Sequence, residues 1–329
     1  MTGRYARQIV LQQVGVEGQA RLAAARVLVV GAGGLGCPVL QYLAGAGTGR
    51  IIVVDHDRVE ESNLHRQPLY TMEDIGSLKA LAARAALMRF NPTIKVEAVA
   101  ERLTPANAER LVADADVVVD AADSLAVTYI LSDTCQQIAR PLVSASAVGL
   151  SGYVGAFCAG APSYRAVFPE MPSRTMNCAS AGVLGTTVAI VGSLQAQFVL
   201  QLILAISPSP LGRLVTFDAG RLAFGGFTFN DAPEPADIIA RYIAPSAVTS
   251  DDLVVDLRGL DEAPVSPFGG ARRLTVDTID TLLVDDGQPP IGRVVLCCHS
   301  GLRAWHAARR LADGGLSDLA LVALGDWPS

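Results

Sequence analysis

A short apolar strand that runs straight into a glycine-rich turn constrains this chain more than any other stretch. Residues 27–30 read Val-Leu-Val-Val, and Gly31, Gly33, Gly34 and Gly36 follow as Gly-Ala-Gly-Gly-Leu-Gly. A helix is expected over 35–46 and a second strand over 51–55, ending at Asp55. Strand, turn, helix and strand at this spacing predict a right-handed β–α–β unit. Its turn lets the backbone approach a phosphate, and its helix N-terminus supplies free N–H groups and a positive dipole end. On these residues alone, with Asp55 placed to bind ribose hydroxyls, the ligand is a nicotinamide dinucleotide.

The alternation continues. Strands are expected over 94–100, 117–121 and 142–147, with helices over 78–90, 105–113 and 125–139. That pattern predicts an α/β fold with a doubly wound, mostly parallel, Rossmann-like sheet, whose ligands sit outside the carboxyl ends of its strands. The composition agrees: 50% of the residues are hydrophobic and only 5% aromatic, as suits a sheet buried on both faces. The 329 residues suffice for two domains. We expect a first domain over 1–229, a linker over 230–235 (Asn-Asp-Ala-Pro-Glu-Pro), and a small α/β domain over 236–329. In the small domain, 253–257 and 294–297 read as strands and 303–313 as a helix.

The segment 181–207 carries no charge and is long enough to cross a bilayer. Gln195, Gln197 and Gln201 interrupt it, so a buried helix is expected and no membrane. A net charge of −6 with no basic run argues against nucleic acid as a partner. The charged N-terminus does not read as a secretory signal, and six scattered cysteines do not read as a disulfide framework. A reducing cytoplasm is therefore expected.

Hydride transfer leaves several residues without a role. Asn63, Arg66, Lys79 and Asp123 accompany the glycine turn, and Asp123 falls just beyond the fourth strand, facing the same crevice. Arg66 and Lys79 can neutralise phosphates and Asp123 can hold Mg2+. Asp55 and Asp57 complete a candidate site better suited to ATP.

Arg4-Tyr5-Ala6-Arg7-Gln8, the glycine turn, Ser62-Asn63-Leu64-His65-Arg66-Gln67, Gly76-Ser77-Leu78-Lys79 and Asp120-Ala121-Ala122-Asp123 occur in that order. Together they resemble the E1-like adenylyltransferases of the MoeB/ThiF/HesA family over roughly residues 4–229. The resemblance implies that Asp55, Asn63, Arg66, Lys79 and Asp123 contact ATP or Mg2+. It also implies that Arg7 reaches into a partner subunit's site, in a homodimer. The implied reaction is attack by a protein C-terminal carboxylate on the α-phosphate of ATP, giving an acyl-adenylate and pyrophosphate. A carboxylate needs no general base, so catalysis is positioning and charge neutralisation.

Two departures stand out. Most family members hold a structural zinc with two Cys-x-x-Cys pairs. These would fall at 163–166 and near 230–235, where this chain has no cysteine, so no zinc is expected and packing must hold that lobe. Ala122-Asp123-Ser124 replaces the frequent Thr-Asp-Asn, and Thr128 stands where arginine is common.

Cys298-His299-Ser300-Gly301-Leu302-Arg303 follows one predicted strand and opens a helix. Loop N–H groups, the helix N-terminus and Arg303 should lower the Cys298 pKa and stabilise a thiolate or persulfide. The arrangement resembles the active loop of rhodanese sulfurtransferases over about residues 236–329, with Asp256-Leu257-Arg258 fitting that family's early Asp-x-Arg. The match is imperfect, since Pro267-Phe268-Gly269-Gly270-Ala271 replaces the usual His-Ile-Pro-Gly-Ala. Cys297 should face the opposite side of its strand, and Cys37, Cys135 and Cys158 read as core. Cys178 precedes the long apolar helix, where some relatives use a cysteine as acyl acceptor; catalytic and structural roles both stay open.

These readings converge on an enzyme that adenylates the C-terminal Gly-Gly of a ubiquitin-like sulfur carrier. A persulfide donor such as a cysteine desulfurase would load Cys298, and the product would be a carrier thiocarboxylate for molybdopterin- or thiamin-type sulfur insertion. The alternatives are an NAD-dependent oxidoreductase, a non-catalytic carrier-binding scaffold, and adenylation of a peptide or tRNA.

Overall fold

The computed structural model describes residues 3–173, 182–283, 290 and 292–325. Among these, eight strands form one sheet in the order β3-β2-β1-β4-β5-β6-β7-β8. They are β1 (Arg26–Val30), β2 (Arg50–Val54), β3 (Lys95–Val99), β4 (Val117–Asp120), β5 (Leu142–Val148), β6 (Ser151–Phe157), β7 (Arg213–Asp218) and β8 (Ala223–Thr228). The first five in chain order pair in parallel and the last three antiparallel. The chain steps outward from β1 to β3, returns to β4 on the other side of β1, and proceeds to β5. Between β1 and β4 the winding reverses, which opens a crevice at the carboxyl ends of the strands.

Helices α1 (Ala6–Ile9) and α2 (Gly15–Ala24) precede the sheet. Helices α3 (Gly36–Ala46), α4 (Lys79–Phe90), α5 (Pro105–Ala113) and α6 (Leu125–Gln137) connect its parallel strands, and α7 (Tyr164–Val167) is a single turn after β6. Helix α8 (Gly185–Leu204) is the uncharged segment that passes the length and composition test for a membrane span. It packs on α3, β5 and β6 with Val188, Val191, Ala196 and Val199 buried. Gln195, fully buried, donates from Nε2 to the Asp120 and Val143 carbonyls at 2.6 and 3.0 Å. A polar side chain bonded to strand carbonyls in this way marks a core helix of the sheet.

A second sheet, all parallel, has the order β11-β10-β12-β13-β9. It is built from β9 (Arg241–Tyr242), β10 (Leu253–Asp256), β11 (Arg272–Arg273), β12 (Val294–Cys298) and β13 (Leu319–Ala323), with α9 (Leu302–Asp313) packed on β12 and β13. The sequence pattern shows β10, β12 and α9 and misses the two-residue strands and β13. The smaller unit is not a tethered bead. One apolar cluster runs from Leu28 and Tyr129 through Met171 and Tyr242 to Leu296 and Trp305.

Candidate functional site

The glycine turn after β1 is held against the start of the segment that follows β4. Gly31 has φ +96°, and a Cβ there would stand 2.5 Å from the Ala121 carbonyl oxygen, so only glycine fits. Asp55, directly after β2, accepts from the Ala32 N–H at 2.7 Å and from the Asp57 N–H at 2.8 Å. Tyr70 donates its hydroxyl to the Ala32 carbonyl at 2.7 Å. Burial pushes the Asp55 carboxyl up, opposed by the two N–H groups and by Lys79. Asp55 therefore holds the turn as well as facing the crevice.

A cleft of about 580 Å3 opens above these residues, within the usual size of a small-molecule site. Gly33, Asp55, Asn63, Arg66, Lys79 and Asp123 all line it. Asn63 is fixed by a capping box with Glu60, and Arg66 donates to the Ser62 carbonyl at 3.0 Å. Lys79 is nearly buried, with its ammonium 3.0 Å from Asp57. Burial opposes ionisation of Asp57, but the Lys79 charge and hydrogen bond prevail and hold its carboxyl below the usual range. Asp57 thus anchors the lysine at the cleft. Asp123 is exposed and, among the described residues, makes no hydrogen bond or ion pair.

Arg7 lies exposed on α1 and is not part of the cleft wall. Cys178 lies outside the described residues. Arg102 is one of several lining residues that were not among the expected site residues. Arg102 follows β3 just as Asp55 follows β2 and Asp123 follows β4. Its place beyond a strand's carboxyl end was therefore the available signal.

Beneath Asp123, Asp120 is fully buried. Its carboxylate accepts from Ser144 Oγ at 2.7 Å and from the Ala122 N–H at 3.3 Å. Burial pushes it up to about 6, against hydrogen bonds from Thr128, Ser144 and Ala122. Thr128 supplies a hydroxyl and no charge. A carboxyl raised in the folded state binds more protons than in the unfolded chain, so stability falls as pH rises through that interval. Asp120→Asn should therefore gain thermal stability relative to the parent as pH rises from 4 to 7. The gain is on the order of 1–3 kcal/mol, a shift of several °C in melting temperature, read by scanning calorimetry at each pH. A difference that stays flat with pH refutes this.

The second candidate centre lies at the carboxyl end of β12. Cys298 Sγ accepts from the Gly301 N–H at 3.2 Å, and the Arg303 and Ala304 N–H groups also face it. Gly301 has φ +84°, and a Cβ there would meet the Tyr242 ring at 2.7 Å. The expected low thiol pKa is not found. Burial pushes Cys298 up, and the loop N–H groups and Arg303 only moderate the rise. Arg303 faces Cys298 and is also held by Glu262, with contacts of 2.5 and 2.8 Å, and by the Leu257 carbonyl at 3.0 Å. Asp256 and Arg258 form a buried pair at 2.8 Å that shapes the loop carrying Glu262. Cys297 faces a separate apolar cluster, as the strand alternation requires, and Cys37, Cys135 and Cys158 are buried.

Residues 163–166 and 230–235, the two segments where the resemblance would place zinc ligands, do meet. Glu234 accepts from the Ser163 N–H and from Ser163 Oγ, both at 2.6 Å, and Ser163 is 3% exposed. Phe157 stacks on Phe229 with centroids 5.0 Å apart and meets Tyr164 edge-on at 5.3 Å. A carboxylate and an aromatic cluster thus hold these two segments together, and the expected linker is pinned at Glu234. Glu234→Ala leaves two buried donors unpaired. It should cost about 1–3 kcal/mol, seen as a melting temperature lowered by several °C, whereas a chelator should leave the parent's melting temperature unchanged.

A doubly wound sheet with a glycine turn, cations lining the cleft and an exposed carboxylate at its switch point defines a nucleotide-binding α/β enzyme. The ThiF family profile matches residues 5–236, and the chain belongs to that family. It is 45% identical over 238 residues to a sulfur carrier protein adenylyltransferase of Thermus thermophilus, covering 70% of this chain and 88% of that one. It is 41% identical to the SAMP-activating enzyme E1 of Haloferax volcanii, over 70% and 86% of the two chains. A bovine adenylyltransferase and sulfurtransferase MOCS3 is 48% identical over 221 residues, which is 66% of this chain and 49% of that protein. The chain therefore spans about half the length of that relative. The crystal structure of Escherichia coli MccB with MccA-N7isoASN superposes with a TM-score of 0.64 at 22% identity, over 72% and 75% of the two chains, which establishes the shared fold.

Proposed function

We propose that this protein uses MgATP to adenylate the C-terminal glycine carboxylate of a small ubiquitin-like sulfur carrier, and that its smaller unit supplies sulfur from Cys298. The observation that carries the reading is the cleft itself. It gathers the glycine turn, Arg66, Lys79 and Asp123 around one cavity. The names of the Thermus and Haloferax relatives support a carrier protein as the substrate. Asp123 is the residue to hold Mg2+, Arg66 and Lys79 to neutralise the phosphates, and Asp55 to accept from the ribose. Arg7 would act across a homodimer, and the exposed Val10, Leu11 and Val16 beside it offer the apolar surface for a second copy. The compartment is the reducing cytoplasm.

In the sulfur step, the terminal sulfur of the Cys298 persulfide attacks the acyl carbon of the adenylate. The carbon–oxygen bond breaks, AMP leaves with the electron pair, and an acyl disulfide forms. A thiol reductant then attacks the Cys298 sulfur, releases the carrier thiocarboxylate and leaves a mixed disulfide. A second equivalent of thiol resolves that disulfide to free Cys298. The persulfide itself comes from a desulfurase-type donor.

The deciding experiment is exchange of labelled pyrophosphate into ATP with purified carriers ending in Gly-Gly. Exchange that needs an intact C-terminal glycine supports the reading. No exchange with any such carrier, at saturating MgATP, overturns it.

A further inference from the structure

We propose that adenylation and sulfur transfer share one chamber, so that the acyl-adenylate is consumed by the Cys298 loop of the chain that made it. This rests on the function proposed above. The wall of the cleft that holds Gly33, Asp55 and Asp123 continues without a break into His299, Ser300 and Leu302. Those three residues belong to the loop that wraps Cys298. Ala323, at the end of β13, lines the same cleft.

The two units are fastened in this arrangement at several points. Arg309 pairs with Glu170 at 2.5 Å, Arg241 pairs with Asp133 at 3.5 Å, and His306 Nε2 meets the Pro172 carbonyl at 3.0 Å. At the rim, a Cβ on Gly325 would collide with the Arg102 guanidinium, so the backbone beyond β13 lies directly on an arginine of the nucleotide cleft. Tyr242 of the small sheet contacts Met171 Sδ at 3.7 Å and the Gly301 carbonyl at 3.3 Å, which ties the cysteine loop to the segment that follows β6.

Cys298 is itself wholly buried, and His299 and Ser300 are the exposed part of its loop. The exposed face of that loop lines the cleft, with Cys298 lying beneath it. An activated carrier tail held at Asp123 would therefore need no release and no second docking before it met sulfur. A mixed anhydride that is intercepted where it forms is also kept from water.

Two measurements test this. In the first, a bulky maleimide labels Cys298, read at that peptide by mass spectrometry, with and without MgATP. With nucleotide at one hundred times its dissociation constant, labelling should slow by about a hundredfold, the fraction of cleft left free. An unchanged rate overturns the shared chamber. In the second, chains carrying Asp123→Asn and Cys298→Ser are mixed, and are also co-expressed with two tags and purified as the doubly tagged species. Thiocarboxylate formation that stays at background supports transfer within one chain, and recovery towards the parent rate overturns it. Pyrophosphate exchange by the unaltered protein is followed in parallel. If exchange is absent the adenylation reading itself fails, whereas exchange together with unprotected Cys298 overturns the single chamber alone.

Discussion

Asp123→Asn should reduce carrier-dependent pyrophosphate exchange by about 10²–10³-fold, the range seen when one preorganised charge-stabilising group is removed from an active site. The carboxylate stands exposed in the cleft with no hydrogen bond or ion pair among the described residues. The loss should appear in kcat and in the Mg2+ dependence together, because the amide removes one of the charges that gather metal and phosphates. Melting temperature should change by no more than a degree or two, since exposed substitutions away from packing contacts shift stability by about 0.5 kcal/mol or less. Exchange within threefold of the parent would remove Asp123 from the metal-binding role. A stability loss in step with the activity loss would recast it as structural.

The second large effect concerns Cys298. Cys298→Ala should bring sulfur transfer, assayed as thiocyanate from thiosulfate and cyanide and as carrier thiocarboxylate, to background. The pH profile carries the mechanistic content. Burial raises this thiol while the Gly301, Arg303 and Ala304 N–H groups only partly offset it. The thiolate is the reactive form, so alkylation of resting Cys298 should climb about tenfold per pH unit through neutrality and keep climbing above pH 8.5. A plateau below pH 7 would show that the loop wins over burial. Glu262→Gln should lower sulfur transfer less than the cysteine change does, because it loosens Arg303 without removing the sulfur.

Local chemistry made much of this legible in the sequence. The glycine turn, Asp55 and Asp123 could be placed because each stands directly beyond a strand with a clear apolar run, and strand ends define the crevice. Cys298 could be placed for the same reason, at the end of β12. What stayed hidden depends on partners far apart in the chain. Ser163 and Glu234 are 71 residues apart, and no periodicity links them. Lys79 and Asp57 each read as ligand-facing, and only the fold shows one neutralising the other. The raised thiol of Cys298 follows from how deeply α9 and β12 bury it, which a loop motif does not encode. β13 was missed because Leu319–Ala323 is a continuous apolar run that periodicity alone does not assign to a strand, although Ala323 at its end lines the cleft.

The Glu234–Ser163 junction has a physiological corollary. A lobe fastened by thiolates around a metal is a target for peroxide and for competing soft metals. A lobe fastened by a carboxylate on a hydroxyl and a backbone N–H offers neither reagent a foothold. The junction between the two segments is thereby independent of the redox state of the chain's buried cysteines.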